Sequence, residues 1–397
     1  MATPAAASAD SSTPGADPTP APSRDGRTAA AADRLARLAE QAALAGADAV
    51  LVSPGADLAY LAGHSVGSHE RFTVLLVPAT GAPHLLVPLL ERPGWDGTPV
   101  VDLGVTTLTW ADGQDPYRVL ADLLPADSRV LAVDDHMPAV HALGVRAAVP
   151  GSELTLAGPA IAELRMRKEP AEVDGLLAIG AAVDRVHEAV GQWLRPGRTE
   201  RDVAADIAAA LVAEGHRTAD FVIVGSGPNG ASPHHEASDR EIRPGELVVI
   251  DIGGPGPDGY FSDCTRTYQV VGEPVDAEQR AVHDLVRRAQ RAAVEAVRPG
   301  VTAQDVDRAA RTVIAEAGLG ERFITRTGHG IGLEVHEHPY IVEGNERPLE
   351  PGMAFSIEPG VYLPGRFGVR IEDIVVVGED GAIPANRAGT EYRVVGG

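Results

Sequence analysis

The chain reads as α+β, a smaller α/β domain followed by a larger domain of two pseudo-symmetric helix–helix–strand–strand halves. Three observations carry that reading. Between Thr28 and about Gly158, short apolar strands alternate with helical stretches. The segment Arg195-Pro196-Gly197-Arg198-Thr199-Glu200-Arg201-Asp202-Val203 recurs 103 residues later as Arg298-Pro299-Gly300-Val301-Thr302-Ala303-Gln304-Asp305-Val306. Beyond each copy lies an apolar strand–turn–strand segment that carries a pair of acids. A length of 397 residues suits two or three domains.

In chain order, residues 1–23 contain only Met, Ala, Thr, Pro, Ser, Asp and Gly. With no basic residue before Arg24 and no apolar stretch, the segment reads as a disordered tail rather than a secretory signal, and residues 1–27 are assigned to it. The first domain is assigned to residues 28–158. It opens with a helix that puts Leu35, Leu38 and Leu44 on one face. Strands follow at Ala49-Val50-Leu51-Val52, Phe72 to Val77, His84 to Val87, Val130 to Val133 and Ala147-Ala148-Val149. His64, His69, His84, His136 and His141 are scattered and suggest no site; Glu70-Arg71 is the one charged pair of interest. The boundary is placed at Gly158-Pro159, before a long helical stretch that runs to Trp193, and the second domain takes residues 159–397.

Composition excludes several functions. With 56 acidic against 34 basic residues, the formal charge is -22, which argues against nucleic acid or an anionic membrane surface as partner. The apolar runs are strand-sized, so no membrane span is expected. Cys264 stands alone, which rules out a disulfide framework and a cysteine zinc module. No glycine-rich loop ending in Lys-Ser or Lys-Thr occurs, so there is no P-loop. The single lysine, Lys168, falls in the charged run Arg165-Met166-Arg167-Lys168-Glu169, an unsuitable desolvated pocket for a Schiff base. One cysteine and no export signal point to the cytoplasm.

The repeat defines where chemistry sits. Each copy is a helix ending at Pro-Gly, then a Thr N-cap with Asp three residues on, then a second helix ending at Gly215 or Gly318. In the first half, Glu246 to Ile252 is an apolar strand interrupted by Asp251, and the return strand carries Asp263; a hairpin centred on Pro257 places the two acids opposite each other. In the second half the outgoing strand ends at Glu358 and the return, Gly368 to Val375, carries Glu372, with Gly365 at the centre. Four acids among apolar residues are costly unless something positive lies between them. Arg266 and Arg370 could serve, yet arginine pairing alone does not account for a duplicated pair of acids. Four oxygen ligands and a histidine suit one or two divalent cations. The histidine candidates are His329, flanked by Gly328 and Gly330, then His336, and Ser232-Pro233-His234-His235.

Asp251, Asp263, His329, Glu358 and Glu372, in that order and context, resemble the five metal ligands of the pita-bread metallopeptidases, which include Xaa-Pro aminopeptidases, Xaa-Pro dipeptidases (prolidases) and methionine aminopeptidases. The resemblance spans roughly residues 160–395. The segment Ser53 to Gly63, with Glu70-Arg71, is similar to the amino-terminal domain of the creatinase and proline-specific branch. The resemblance implies two divalent ions per subunit, manganese foremost, with cobalt, zinc or iron as options. It implies that Asp251 binds one ion, that Asp263 and Glu372 bridge, that His329 completes the other, and that Glu358 is both ligand and proton shuttle. His234 and His336 are implied as catalytic and substrate-contacting residues, and Arg370 as a substrate-side residue that orients carboxylates. The implied reaction is hydrolysis of the bond before a proline at the second position of a small peptide, by a homodimer. One departure stands out: many proline-specific members carry a histidine four residues before the ligand histidine, where this chain has Thr325. That departure keeps open a same-fold metal-dependent hydrolase or lyase acting on a small non-peptide metabolite. A catalytically dead peptide-binding module is disfavoured, because all five ligands are retained.

Overall fold

The computed structural model describes residues 23–67, 70–125 and 127–397. Residues 1–22 of the expected disordered tail, and His69, lie outside the described residues; Arg24 to Arg27, also assigned to the tail, are helical. The first helix, Arg24–Leu44, starts four residues earlier than expected, because the Ser23 hydroxyl caps the Gly26 N–H. It buries Leu35 and Leu38 but leaves Leu44 in its last turn 81% exposed, so Leu44 does not share their face against the core.

The N-terminal domain holds a six-stranded mixed sheet: β1 (Ala49–Val52), β2 (Val74–Pro78), β3 (His84–Pro88), β4 (Thr106–Trp110), β5 (Val130–Val133) and β6 (Glu153–Leu156), in the order β4-β3-β2-β1-β5-β6. Apolar side chains fill both faces, as the fully buried strand β1 requires. The expected strand at 147–149 is wrong. Ala147 and Ala148 end the helix Ala139–Ala148, and the strand comes after the Gly151 turn, with none of its four residues fully buried. β4 escapes sequence notice because it is a Thr-rich edge strand, mostly half-exposed. Helix Gly158–Arg165 puts Ile161 and Leu164 into the N-terminal core, so the expected boundary at Gly158-Pro159 would cut that helix from the core it packs on. The expected unbroken helix to Trp193 is interrupted at 166–169 and resumes as Pro170–Ala189, with Glu169 and Glu172 forming a capping box.

The C-terminal half-repeat is real in three dimensions. Helices Pro170–Ala189 and Glu200–Ala213 cover a sheet of β7 (Phe221–Ser226), β8 (Leu247–Pro255) and β9 (Phe261–Val270). Helices Ala277–Ala296 and Ala303–Glu316 cover a second set: β10 (Gly328–Gly330), β11 (Glu337–Ile341), β12 (Ala354–Ile357), β13 (Gly360–Leu363), β14 (Phe367–Arg370), β15 (Asp373–Val377) and β16 (Ala382–Pro384). The last strand, β17 (Val394–Val395), joins the edge of β9. Thr199 and Thr302 cap their helices through the N–H groups of Asp202 and Asp305, as the repeat predicts.

Helix Pro170–Ala189 is fastened to β9 by His187, which is fully buried. Its Nε2 lies 3.1 Å from the Cys264 carbonyl and its Nδ1 lies 3.1 Å from the Tyr268 hydroxyl. Burial, aided by the Arg266 charge, pushes this imidazole down to about 3. A histidine held neutral in the fold gives stability that is full above its unfolded pKa and lost as pH falls toward the folded value. Urea titrations should therefore show stability dropping by about 1.4 kcal/mol per pH unit below ~6.5 from this residue. His187→Gln should flatten that slope, and an unchanged slope would contradict the assignment.

Candidate functional site

The site forms where the two half-repeats meet. On β9, Asp263, Thr265 and Thr267 alternate onto one face and turn toward the second half. The Glu372 N–H donates to the Thr265 carbonyl at 3.1 Å, and Thr267 Oγ1 accepts from the Arg370 N–H at 3.1 Å, so the junction of β14 and β15 is stitched to β9.

The registers refine the expected pairings. Asp251 faces Thr265 rather than Asp263, and Asp263 faces Gly253, so the hairpin is centred on Asp258 instead of Pro257. The two acids are diagonal neighbours on one face, which separates like charges further than direct opposition would. In the second half, Ile357 faces Asp373 and Gly360 faces Arg370, which keeps the expected centre at Gly365. The return is not one strand: it breaks at Ile371-Glu372, where the chain passes from the β13–β14 hairpin to the larger sheet.

Asp263, His329 and Glu372 are buried, and one ligand atom from each lies within 4.8 Å of the others. His329 Nε2 is 3.6 Å from Asp263 Oδ2 and 3.2 Å from Glu358 Oε1. Its Nδ1 is 3.1 Å from the Gly330 carbonyl, which orients the ring and leaves Nε2 facing the acids. The flanking glycines are required: a Cβ at Gly328 would sit 1.8 Å from the Ser356 carbonyl oxygen, and one at Gly330 would sit 2.2 Å from that of His338. Ser356 Oγ accepts from the His329 N–H at 3.0 Å and donates to Glu358 at 3.1 Å.

Burial first, then the charges of Glu372, Asp251 and Glu358, push the Asp263 carboxyl well above its usual range. Burial, then Glu358 and Asp251, do the same to Glu372. Burial also pushes Glu358 up, but the His329 contact and the Arg370 charge outweigh it and hold this carboxyl low. Asp251 Oδ1, Asp263 Oδ1 and Glu372 Oε1 are buried with no hydrogen-bond donor. Orphaned oxygens are rare in folded proteins, and oxygens so placed call for a cation. An oxygen-rich set with one imidazole fits divalent metal ions.

Arg370 is 3% exposed, and Nη2 donates to Asp251 at 2.6 Å, Nη1 to the Tyr362 hydroxyl at 2.9 Å and Nε to Thr265 at 3.1 Å. Its fork is turned inward, so the expected substrate contact from Arg370 gives way to the holding of Asp251 in place. Arg266 pairs with Asp373 and with backbone carbonyls, and does not neutralise the acids. The His336 ring packs edge-on against His329 at 4.2 Å between centroids. Burial, then the charges of His329 and Arg326, push His336 down to about 4, so its imidazole is neutral at pH 7. His234 is exposed on its loop, whereas its neighbour His235 is turned inward to Glu200 at 2.7 Å.

Sequence reasoning missed Glu200. This buried carboxylate accepts from Ser226, Asn229 and Ser238 as well as meeting His235, and so fixes the loop that carries His234. It also missed Asp307, which accepts from the Thr327 N–H and hydroxyl and fixes the approach to His329. Residue type and spacing marked neither, since each lies in the first turns of a second repeat helix, where polar residues are ordinarily exposed. Arg71, singled out with Glu70, pairs with Glu70 and Asp112 within the N-terminal domain.

Lys168 is not in a solvated run as expected; it is buried and paired with Glu337. Arg165 joins the same carboxylate, together with Asp57 at 2.6 Å and Glu334 at 2.8 Å. The linker therefore clamps the segment carrying His336 to the N-terminal domain. A cleft of about 830 Å³ opens there, lined by Asp57, His136, Arg165, His336 and Tyr340 among others; of the eight expected site residues it meets only His336.

The fold and the buried acid–histidine cluster define a metal-dependent hydrolase of pita-bread architecture behind a creatinase-type domain. Residues 174–379 match the model described as metallopeptidase family M24, and residues 34–167 match the creatinase/prolidase N-terminal domain. The chain belongs to metallopeptidase family M24. It is 54% identical over 364 residues to the probable dipeptidase PepE of Mycobacterium tuberculosis, covering 92% of this chain and 96% of that one. It is 38% identical over 346 residues to the Xaa-Pro dipeptidase of Lactobacillus helveticus, covering 84% and 91%. The crystal structure of dipeptidase PepE from Mycobacterium ulcerans superposes with a TM-score of 0.88 at 53% identity, over 93% of this chain and 98% of that one. The family implies divalent metal ions. Among the described residues, no helix is long and apolar enough to cross a membrane.

Glu337→Gln leaves two buried cations short of a partner and should cost about 3–5 kcal/mol in chemical denaturation. Replacing Lys168 and Glu337 together by Met should cost less than the single change; additive losses would show that the two do not act as a pair.

Proposed function

We propose that the chain is a dipeptidase that hydrolyses the bond between an N-terminal residue and proline. The observation that carries the metal-dependent part is the set of buried, donorless oxygens on Asp251, Asp263 and Glu372 beside His329. The dipeptide and proline preferences are supported by the names of the relatives above. Asp251, Asp263, His329, Glu358 and Glu372 would hold two divalent ions, and carboxylate-rich ligation favours manganese. Bound there, such ions lower the pKa of water from about 15.7 toward 7 and polarise a carbonyl.

The chain's own residues do the rest. Glu358 Oε takes the proton of the attacking water and gives it to the proline nitrogen as the C–N bond breaks. Proline's nitrogen carries no N–H in the peptide, so recognition cannot use one, and a delivered proton is what lets it leave. His336, neutral, can donate a hydrogen bond to the oxygen on which charge develops. His234 would contact substrate from the exposed rim. Arg370 keeps Asp251 aimed inward. The reading includes a cytoplasmic homodimer joined through the N-terminal domain, which solution mass measurement checks.

The deciding experiment compares an Xaa-Pro dipeptide with an Xaa-Pro-Yaa tripeptide, with manganese added, and the dipeptide should be preferred. Glu358→Gln should lower kcat by about 10²–10⁴ while far-UV circular dichroism is unchanged; full turnover would remove Glu358 from this role. Asp263→Asn should abolish the rise in Tm that manganese gives the wild type. It should leave the metal-stripped protein at least as stable, since it removes one of several like charges in a buried cluster. A retained manganese shift would take Asp263 out of the ligand set.

A further inference from the structure

Helix Ala303–Glu316 carries an ion pair that faces the segment leading to His329. Asp307 is fully buried, and Arg311, four residues on, donates to it through Nε and Nη2, each at 2.9 Å. Both partners also reach beyond the pair. Arg311 donates to the carbonyls of Phe323 and Thr325, each at 3.0 Å. Asp307 Oδ1 accepts from the Thr327 N–H at 3.2 Å and from its hydroxyl at 2.7 Å. Phe323, Thr325 and Thr327 are thereby all fastened to one turn of helix. The Thr327 N–H is shared with the Ile341 carbonyl at 3.1 Å, so the hydroxyl bond is the one that belongs to Asp307 alone. The surroundings are apolar, with Val306, Ala310, Phe323 and Ile341 all in the core. Stability by itself would favour an apolar residue at 307.

Thr327 passes this hold on to the cluster. Its carbonyl accepts from the Glu358 N–H at 2.7 Å, and it stands two residues before His329. Ser356 makes a second bridge, since its Oγ accepts from the His329 N–H and donates to the Glu358 carboxylate. Ser356 lies inside β12, whereas Thr327 lies just outside β10 and owes its place to the groups beside it. We propose that Asp307 is a positioning residue for the cluster. Through Thr327 it fixes the spacing of His329 and Glu358, whose Nε2 and Oε1 are 3.2 Å apart, and so sets how tightly a divalent ion is held there, without touching ion or substrate. Arg311 keeps the Asp307 carboxylate aimed at Thr327. This rests on the metal-dependent part of the reading above.

The test titrates manganese into the metal-stripped protein by calorimetry and measures kcat and KM for an Xaa-Pro dipeptide. It compares wild type, Asp307→Asn, Thr327→Val and Thr327→Ser, with thermal melts of the stripped proteins to confirm folding. Asp307→Asn should raise the manganese Kd of one ion by about 10–100-fold. It should also lower kcat at saturating manganese, with KM little changed. Thr327→Val should shift Kd and kcat the same way by less, and Thr327→Ser, which keeps the hydroxyl, should recover most of that loss. A folded Asp307→Asn that melts lower but binds manganese and turns over as the wild type does would overturn the proposal, and so would a rise in KM at unchanged Kd and kcat. If Asp307→Asn does not fold, Thr327→Val decides by the same criteria. A wild type that binds manganese but cleaves no Xaa-Pro bond would overturn the proline reading, and the titrations would still decide Asp307. A wild type that binds no manganese would overturn the manganese reading and this proposal together.

Discussion

Four carboxylates share one buried arginine. Asp251, Asp263, Glu358 and Glu372 converge beside His329, and Arg370 is the cation the fold itself supplies to them. The resulting charge is not balanced from within. Asp263 and Glu372 are pushed toward their neutral forms by burial and by one another, and three oxygens have no donor. A protein does not keep such a cluster for stability, because apolar residues of similar volume would pack there at lower cost. The cluster makes physical sense when divalent cations complete it, and binding free energy then becomes part of folding free energy. The close approach at Gly328 and Gly330 and the inward fork of Arg370 follow from the need to bring these groups together.

The duplicated halves explain how the cluster is held. Each half covers its strands with two helices, and the second helix of each begins at a capping threonine. Each of these helices also buries one carboxylate near its start, Glu200 or Asp307. Glu200 holds the loop bearing His234, and Asp307 holds the segment before His329. The same device thus appears in both halves, fastening a site-bearing loop to a helix that packs against the core. Helix-anchored loops are more rigid than free ones, which suits a site whose groups must stay within hydrogen-bond reach.

Much of this was legible because paired strands leave arithmetic traces. The repeat offset, the caps and the four acids in apolar strands all follow from residue type and spacing. The finer register did not. A Gly- and Pro-rich stretch, Gly253 to Gly259, can close about more than one centre; here Gly253 to Pro255 extend the strand, the turn lies between Pro255 and Phe261, and Asp251 comes to face Thr265. The break at Ile371-Glu372 is equally invisible, since nothing in an apolar run says where a chain changes sheets. Burial of charge was the larger blind spot. Lys168 lies in a run that reads as solvated, and Leu44 in a stripe that reads as core; the structure reverses both, because tertiary partners outweigh local pattern. His234 and His235 are adjacent and chemically alike, yet one is exposed and the other is fixed to Glu200. That division is decided by a carboxylate 35 residues away in sequence.

The segment around His336 joins these constraints. Its flanking carboxylates, Glu334 and Glu337, are held by Arg165 and Lys168 from the linker, and Arg165 reaches across to Asp57 in the N-terminal domain. Its ring rests on His329, so the orientation of a cluster residue and the attachment of the N-terminal domain meet on one short stretch. Arg165 and Lys168 are neutralised by these carboxylates and bear on the fold. The N-terminal domain thereby bears on the site as well, since it helps hold the stretch on which His336 sits.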